Sequence, residues 1–203
     1  MKAEAETVDK GAGRPRDRRI DAAILAATAE LLVEVGYGAL TMAAIAERAG
    51  TTKTALYRRW SSKAELVHEA AFPAAPAGLA GPSGDIAGDI AAMLAHSRDM
   101  FSSPVVRAAL PGLIADMAGD PELNDRVMTR FGEAFAAVRQ RIVDAAALGQ
   151  VHDDVDPDRL VELVGGGTMM RLLLIPQVPL DDEWVAQTAA ILTHGVKTAP
   201  DPR

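Results

Sequence analysis

At 203 residues, with 49% hydrophobic and 24% charged side chains, the chain suits one compact core with a small appended module and is too short for two large domains. No uninterrupted apolar run reaches the roughly 18 residues of a membrane span, Met1 to Arg19 lacks the apolar stretch of a secretory signal, and the absence of cysteine removes disulfides, thiolate metal sites and cysteine nucleophiles. A cytoplasmic protein with no membrane partner is therefore expected, and its net charge of −7 disfavours a nucleic-acid partner unless positive charge is concentrated locally.

It is concentrated locally. Residues 1–70 carry a formal charge of +1 and residues 71–203 one of −8. Within the first part, Thr52 to Lys63 holds Lys53, Arg58, Arg59 and Lys63 with no acid. Gly11 to Arg19 holds Arg14, Arg16, Arg18 and Arg19 against Asp17.

Taken in chain order, residues 1–16 contain Gly11, Gly13 and Pro15 and have nothing to bury, which predicts a disordered basic tail. Such a tail either orders on DNA as an arm or only keeps the protein soluble. Ile20, Ile24, Ala27, Leu31 and Val35 then recur at helical spacing, and Gly36 is placed to end that helix. Thr41 caps a short second helix with an apolar face of Met42, Ile45, Ala46 and Ala49, and Gly50 supplies a tight turn. Thr52 caps a third helix expected to run to about Trp60. Ser62, with Glu65 three residues later, forms a capping box that opens a fourth.

Residues 71–84, rich in Ala, Pro and Gly, read as a joint. Further helices are expected near 84–102, 104–117, 121–148, 157–174 and 181–197, because Pro104, Pro121 and Pro157 suit first-turn positions and acids cluster at several starts. Pro111 is expected to kink or split the second of these. No segment alternates like a strand, so the predicted fold is all-α: a helix-turn-helix domain over 17–70 and a larger helical domain over 71–203.

Two short helices joined through Ala49, Gly50 and Thr51, with another packed behind, match the plan in which the second helix enters the DNA major groove. Ala46 is small where the helices cross. Ile45 and Leu56 face inward, so the opposite face of Thr52 to Arg59 is left to reach DNA. The run from Thr41 to Leu66, TMAAIAERAGTTKTALYRRWSSKAEL, closely resembles the DNA-binding segment of TetR-family regulators, with the resemblance strong over residues 17–70.

The resemblance implies a helical homodimer that binds an operator as a repressor and is released by a small ligand. It places Thr41, Tyr57 and Lys63 as phosphate contacts and Lys53, Thr54 and Ala55 where base edges are read. The chemistry agrees: a hydroxyl at a helix N-terminus, a phenol O–H and an ammonium all suit phosphate oxygens. Lys53 can donate to guanine, the Thr54 methyl can meet a thymine methyl, and Arg58 can serve either purpose. Thr41 and Thr52 also serve as caps, Trp60 suits the core, and Arg59 reads as a solvated surface charge. Thr54, Arg59, Trp60 and Ala43 depart from residues frequent in the family, which leaves the operator sequence open.

The acidic second domain is suited to stay off DNA, which leaves it dimerisation and sensing. Leu160, Leu163, Val164, Thr168 and Leu172 share a helix with Gly165, Gly166 and Gly167, where glycine costs about 1 kcal/mol per residue. Close approach of another helix compensates for such a cost. With Val185, Ala189 and Leu192 on the last helix, this suggests a four-helix dimer interface that includes Leu160, Val164 and Gly166. A phosphate-binding glycine loop is disfavoured, because no Lys-Ser/Thr follows.

Met93, Met100, Met117, Met128 and Met169, with Phe131 and Phe135, suit either plain core or a soft cavity for an apolar or aromatic effector, with His96 as its polar anchor. Met170 and Phe101 add to the same composition. His152 with Asp153, Asp154, Asp156 and Asp158 invites a metal reading, but acids before a helix start at Pro157 are explained by capping. No metal and no cofactor are expected. An enzyme using His96 or His152 is the rival from another class, without a nucleophile and base to support it. A helix-turn-helix that binds protein is the other. The expectation is a non-enzymatic, ligand-responsive regulator whose two heads, one helical turn apart, read a palindromic operator.

Overall fold

The computed structural model describes residues 18–73 and 84–196; the expected tail, with Arg14 and Arg16, lies outside them. Nine α-helices form among the described residues, and no strand. A head of four helices comprises α1 (Arg18–Ala39), α2 (Met42–Arg48), α3 (Lys53–Tyr57) and α4 (Lys63–Ala71). The body comprises α5 (Ile86–Ser102), α6 (Pro104–Gly119), α7 (Pro121–Ala147), α8 (Pro157–Leu174) and α9 (Asp182–Val196).

The local start signals act as expected. Thr41, Thr52 and Ser62 accept from the backbone N–H three residues on, and Pro104, Pro121 and Pro157 open their helices. Asp156 caps α8 by accepting from Asp158 N. The Glu65 carboxylate reaches one residue further back than an ideal capping box, to the backbone N and hydroxyl of Ser61.

Three expectations need correction. Pro111 does not split α6, which continues through it as one helix. Pro111 and Arg107, whose carbonyl would have received the missing N–H, are both exposed, so water can take that hydrogen bond. The regular part of α3 ends at Tyr57, although Trp60 N still donates to Leu56 O. Finally, the α1 stripe drifts: Ile24, Ala27, Thr28, Leu31 and Leu32 are buried whereas Ile20 and Val35 are exposed, because a 3.6-residue turn does not hold a fixed spacing of four.

Gly36, at φ +73°, breaks α1 and sends Tyr37 inward. Among the described residues, α1 is the one helix long and apolar enough by composition to cross a membrane. Its buried residues instead pack against α2, α4 and α6.

Two hydrophobic clusters hold the chain together. One joins the head to the body: Ile24, Leu32, Ile45, Leu56, Trp60 and Leu66 share it with Phe101, Val106, Leu113, Val127 and Leu172. The other lies wholly in the body, where Ile86, Ile90, Met93 and Leu94 of α5 meet Ile142, Leu160, Val164, Val185 and Ala189. Several buried polar groups in the body are paired. Arg141 meets Asp89 at 3.2 Å, and the Ser97 hydroxyl donates to Thr168, which donates to Val164 O.

Candidate nucleic-acid interface and regulatory site

Inward and outward residues separate cleanly on the helix-turn-helix. Ile45, Ala46, Leu56 and Trp60 are buried, with Trp60 Nε1 donating to Glu69 at 2.8 Å. Gly50, at φ +64°, makes the turn between α2 and α3. Thr41, Thr52, Lys53, Thr54, Tyr57 and Arg58 are all exposed, and Ala55 is half-buried. Tyr57 keeps 53% of its surface in solvent although it is a large aromatic residue.

Lys63 has a partner that the sequence reading did not include, and Arg59 is placed differently from that reading. Lys63 Nζ donates to Tyr37 O at 3.0 Å and lies 4.1 Å from the centre of the Tyr37 ring. Its ammonium is therefore held at the start of α4 rather than free in solvent. Arg59 is not a solvated charge: it pairs with Asp21 on α1 and donates to Ala55 O, which ties the end of α3 to the first turn of α1. Arg48 on α2 is likewise bound to Glu34, at 2.8 Å, and to Glu30. This pairing lowers the Glu34 carboxyl below its ordinary range and raises the Arg48 guanidinium. Three α1 acids that sequence reasoning passed over thus hold α2 and α3, and their spacing gave no cue because each partner is far along the chain.

In the body, the expected effector residues divide. Met93 is sealed in the body core; Met100, Met117, Phe131 and Met169 pack against the shared head–body cluster. Phe135 stacks on Phe131 at 5.8 Å. His96 is at the surface, since the inward face of α5 is taken by Ile90, Met93, Leu94, Ser97 and Phe101, and Met128 on α7 is exposed as well. Met117 also lines an open cleft of about 450 Å³ with Ile114, Ala118, Pro121 and Asn124. The polar group that does sit among the aromatics is one the sequence reading missed. His68 of α4 is buried, 5.2 Å from the Phe72 ring and 5.3 Å from that of Phe131, and Phe72 also meets Phe101 at 6.5 Å. The i, i+4 pair of His68 and Phe72 was the available signal.

The expected dimer residues are corrected in the same way. Leu160, Val164, Val185 and Ala189 are buried within the chain, and Leu192 packs against them. They hold α8 and α9 on α5 and are not surface. The outward face of α8 carries Leu163, Gly166, Met170 and Leu174, and α9 exposes Ile191. Among the described residues, and leaving aside the neighbouring turns of α8 itself, nothing lies within 4 Å of where a Cβ would stand at Gly165, Gly166 or Gly167.

A four-helix head that presents a polar, partly cationic face around a tight-turned helix pair, on a larger helical body, defines a helix-turn-helix transcriptional regulator. The family described as bacterial regulatory proteins, tetR family, matches residues 24–70, and the tetracyclin repressor-like C-terminal domain matches residues 81–192. The chain belongs to the TetR family.

It is 31% identical over 162 residues to the uncharacterized HTH-type transcriptional regulator Mb1581 of Mycobacterium bovis, covering 78% of this chain and 79% of that protein. It is 29% identical over 173 residues to the DNA-binding transcriptional repressor TetR of Mycobacteroides abscessus, covering 82% and 87%. Among solved structures, the TetR family transcription regulator SCO0332 superposes with a TM-score of 0.67 at 33% identity, over 90% of this chain and all of that one.

Proposed function

We propose that this regulator is a ligand-responsive repressor that binds a palindromic operator as a homodimer and leaves it when a small apolar or aromatic effector binds. The observation that carries the reading is the sorted surface of α3: Leu56 wholly buried, with Lys53, Thr54, Tyr57 and Arg58 outward. Residues 17–70 act as the reading head; residues 71–203 dimerise and sense. Thr41, Thr52, Tyr57 and Lys63 position the head on phosphates, Lys53 and Thr54 read bases, and Arg58 does either. The protein works in the cytoplasm, without catalysis, metal or cofactor.

The second copy sits on the outward faces of α8 and α9, where Leu163, Met170, Leu174 and Ile191 are exposed and the glycines admit a closely approaching helix. Such a dimer holds two heads about 34–36 Å apart, one turn of B-DNA. The effector enters among Phe131, Phe135, Met100 and Met169, with His68 as the polar anchor in place of His96. Because His68 and Phe72 belong to α4 and its cap, a molecule wedged there moves the head directly.

The test is fluorescence anisotropy against the intergenic DNA flanking the protein's own gene, at two salt concentrations, with Lys63→Ala as control. A tight, salt-dependent complex that Lys63→Ala weakens supports the regulator. No binding above random DNA at either salt overturns it.

A further inference from the structure

We infer that Gly112 and Asp116, on α6 of the body, are positioning residues for operator binding, because they hold Tyr37 and Tyr37 holds the DNA-facing Lys63. The inference rests on Lys63 meeting a phosphate, as proposed above, and adds the route by which the body controls that contact.

Four observations converge on Tyr37. Its ring is buried although it follows a chain reversal at Gly36. The space for the ring exists only because residue 112 is glycine: a Cβ there would lie 2.0 Å from Cδ1 and 2.4 Å from Cγ of Tyr37, far inside contact distance. Its hydroxyl donates to the Asp116 carboxylate, one turn further along α6. Its carbonyl and ring face together hold the Lys63 ammonium. Burial, reinforced by Asp116, raises the phenol well above its ordinary pKa, so the O–H donor is retained throughout the physiological range.

The chemistry gives this arrangement a direction. An ammonium has three donors. One is spent on Tyr37 O, the ring face attracts the charge without using a donor, and the remaining N–H groups are available to a phosphate oxygen beside the α4 N-terminus. Lys63 is thus held in one rotamer before DNA arrives, and its long side chain loses less entropy on binding. Since Gly112 and Asp116 belong to the body, any displacement of α6 withdraws this support. The head need not unfold or turn as a whole to lose the contact.

Two measurements on the full-length protein test this. In a proton–carbon correlation spectrum, the Lys63 ε-methylene group should be shifted upfield by the Tyr37 ring and return toward the ordinary lysine position in Asp116→Ala and in Tyr37→Phe. Operator affinity should fall about five- to tenfold in both variants, and the slope of log affinity against log salt should fall by about one. Gly112→Ala should do the same more strongly.

If these variants only lower the unfolding midpoint, with the Lys63 signal and the salt slope at parent values, the junction is merely structural and the inference is wrong. If the Lys63 signal moves while affinity and slope stay, the positioning role is wrong. A parent that binds no operator above random DNA overturns the proposed function and this role with it. A parent that binds, with Asp116→Ala indistinguishable from it, overturns the positioning role alone.

Discussion

The outer surface of α3 and the outer surface of α8 both carry side chains that the chain itself does not cover, but of opposite kinds. On α3 these are Lys53, Thr54, Tyr57 and Arg58; on α8 they are Leu163, Met170 and Leu174, around a run of glycines. A polar, donor-rich surface loses little by staying in water and gains most from an anionic partner with acceptors in fixed positions. An apolar surface has no such reason to stay open. Exposed apolar groups in a contiguous stripe mark a face that another protein surface covers. The same helical framework therefore presents two surfaces of opposite chemistry, which the proposed function assigns to DNA and to a second copy.

The largest expected effect breaks the apolar side. Met170→Glu places a charge on the outward face of α8 and should convert dimers to monomers by light scattering. Operator affinity should then fall about a hundredfold or more, because two tethered heads become two independent ones. Monomers that bind the full operator as tightly as the parent would separate the two surfaces altogether.

A paired substitution sharpens the distinction within α3. Leu56→Ala, at a fully buried position, should cost about 2–5 kcal/mol in urea unfolding. Tyr57→Ala, its exposed neighbour, should leave stability within about 0.5 kcal/mol and weaken DNA binding across all sequences. Smaller still, Thr52→Ala removes the side chain that accepts from Ala55 N at 3.2 Å, for a loss of about 1 kcal/mol in head stability.

The smallest effect concerns the α1–α2 tie. The Glu34 carboxyl is lowered by Arg48, so its contribution is present above the unfolded-state value and is lost as pH falls through the depressed folded value. A carbon-detected titration should place the Glu34 midpoint below that of an ordinary glutamate, and Arg48→Ala should return it. The pair is solvent-exposed, so global stability should hardly register the change.

The elements were legible in the sequence because their signals are local. A threonine or serine three residues before a free N–H, or a proline at a first turn, acts within one helical turn wherever the rest of the chain goes. The outward face of α3 was legible for a related reason: with Ile45, Ala46 and Leu56 turned inward, the other face of α3 has one direction left.

Which row of α8 the chain itself buries was misread because α8 is apolar on two sides. Leu160, Val164, Thr168 and Leu172 form one row, and Leu163, Gly166, Met170 and Leu174 another. Periodicity alone cannot say which row meets the chain's own core. Asp21 with Arg59, and Tyr37 with Asp116 and Gly112, were invisible for a different reason: each joins residues tens of positions apart, through side chains whose local spacing is unremarkable.

The cluster that runs from Trp60 and Leu66 through Leu113 to Leu172 carries a consequence for protein engineering. A head transplanted from a relative onto this body, or this head onto another sensor, would meet a foreign α6. Tyr37 would then press against whatever replaced Gly112, and the apolar faces of α1 and α4 would meet unmatched neighbours. A working chimera should therefore carry α6 with the head, placing the splice inside the body and not at residues 74–83, where the chain passes from one part to the other.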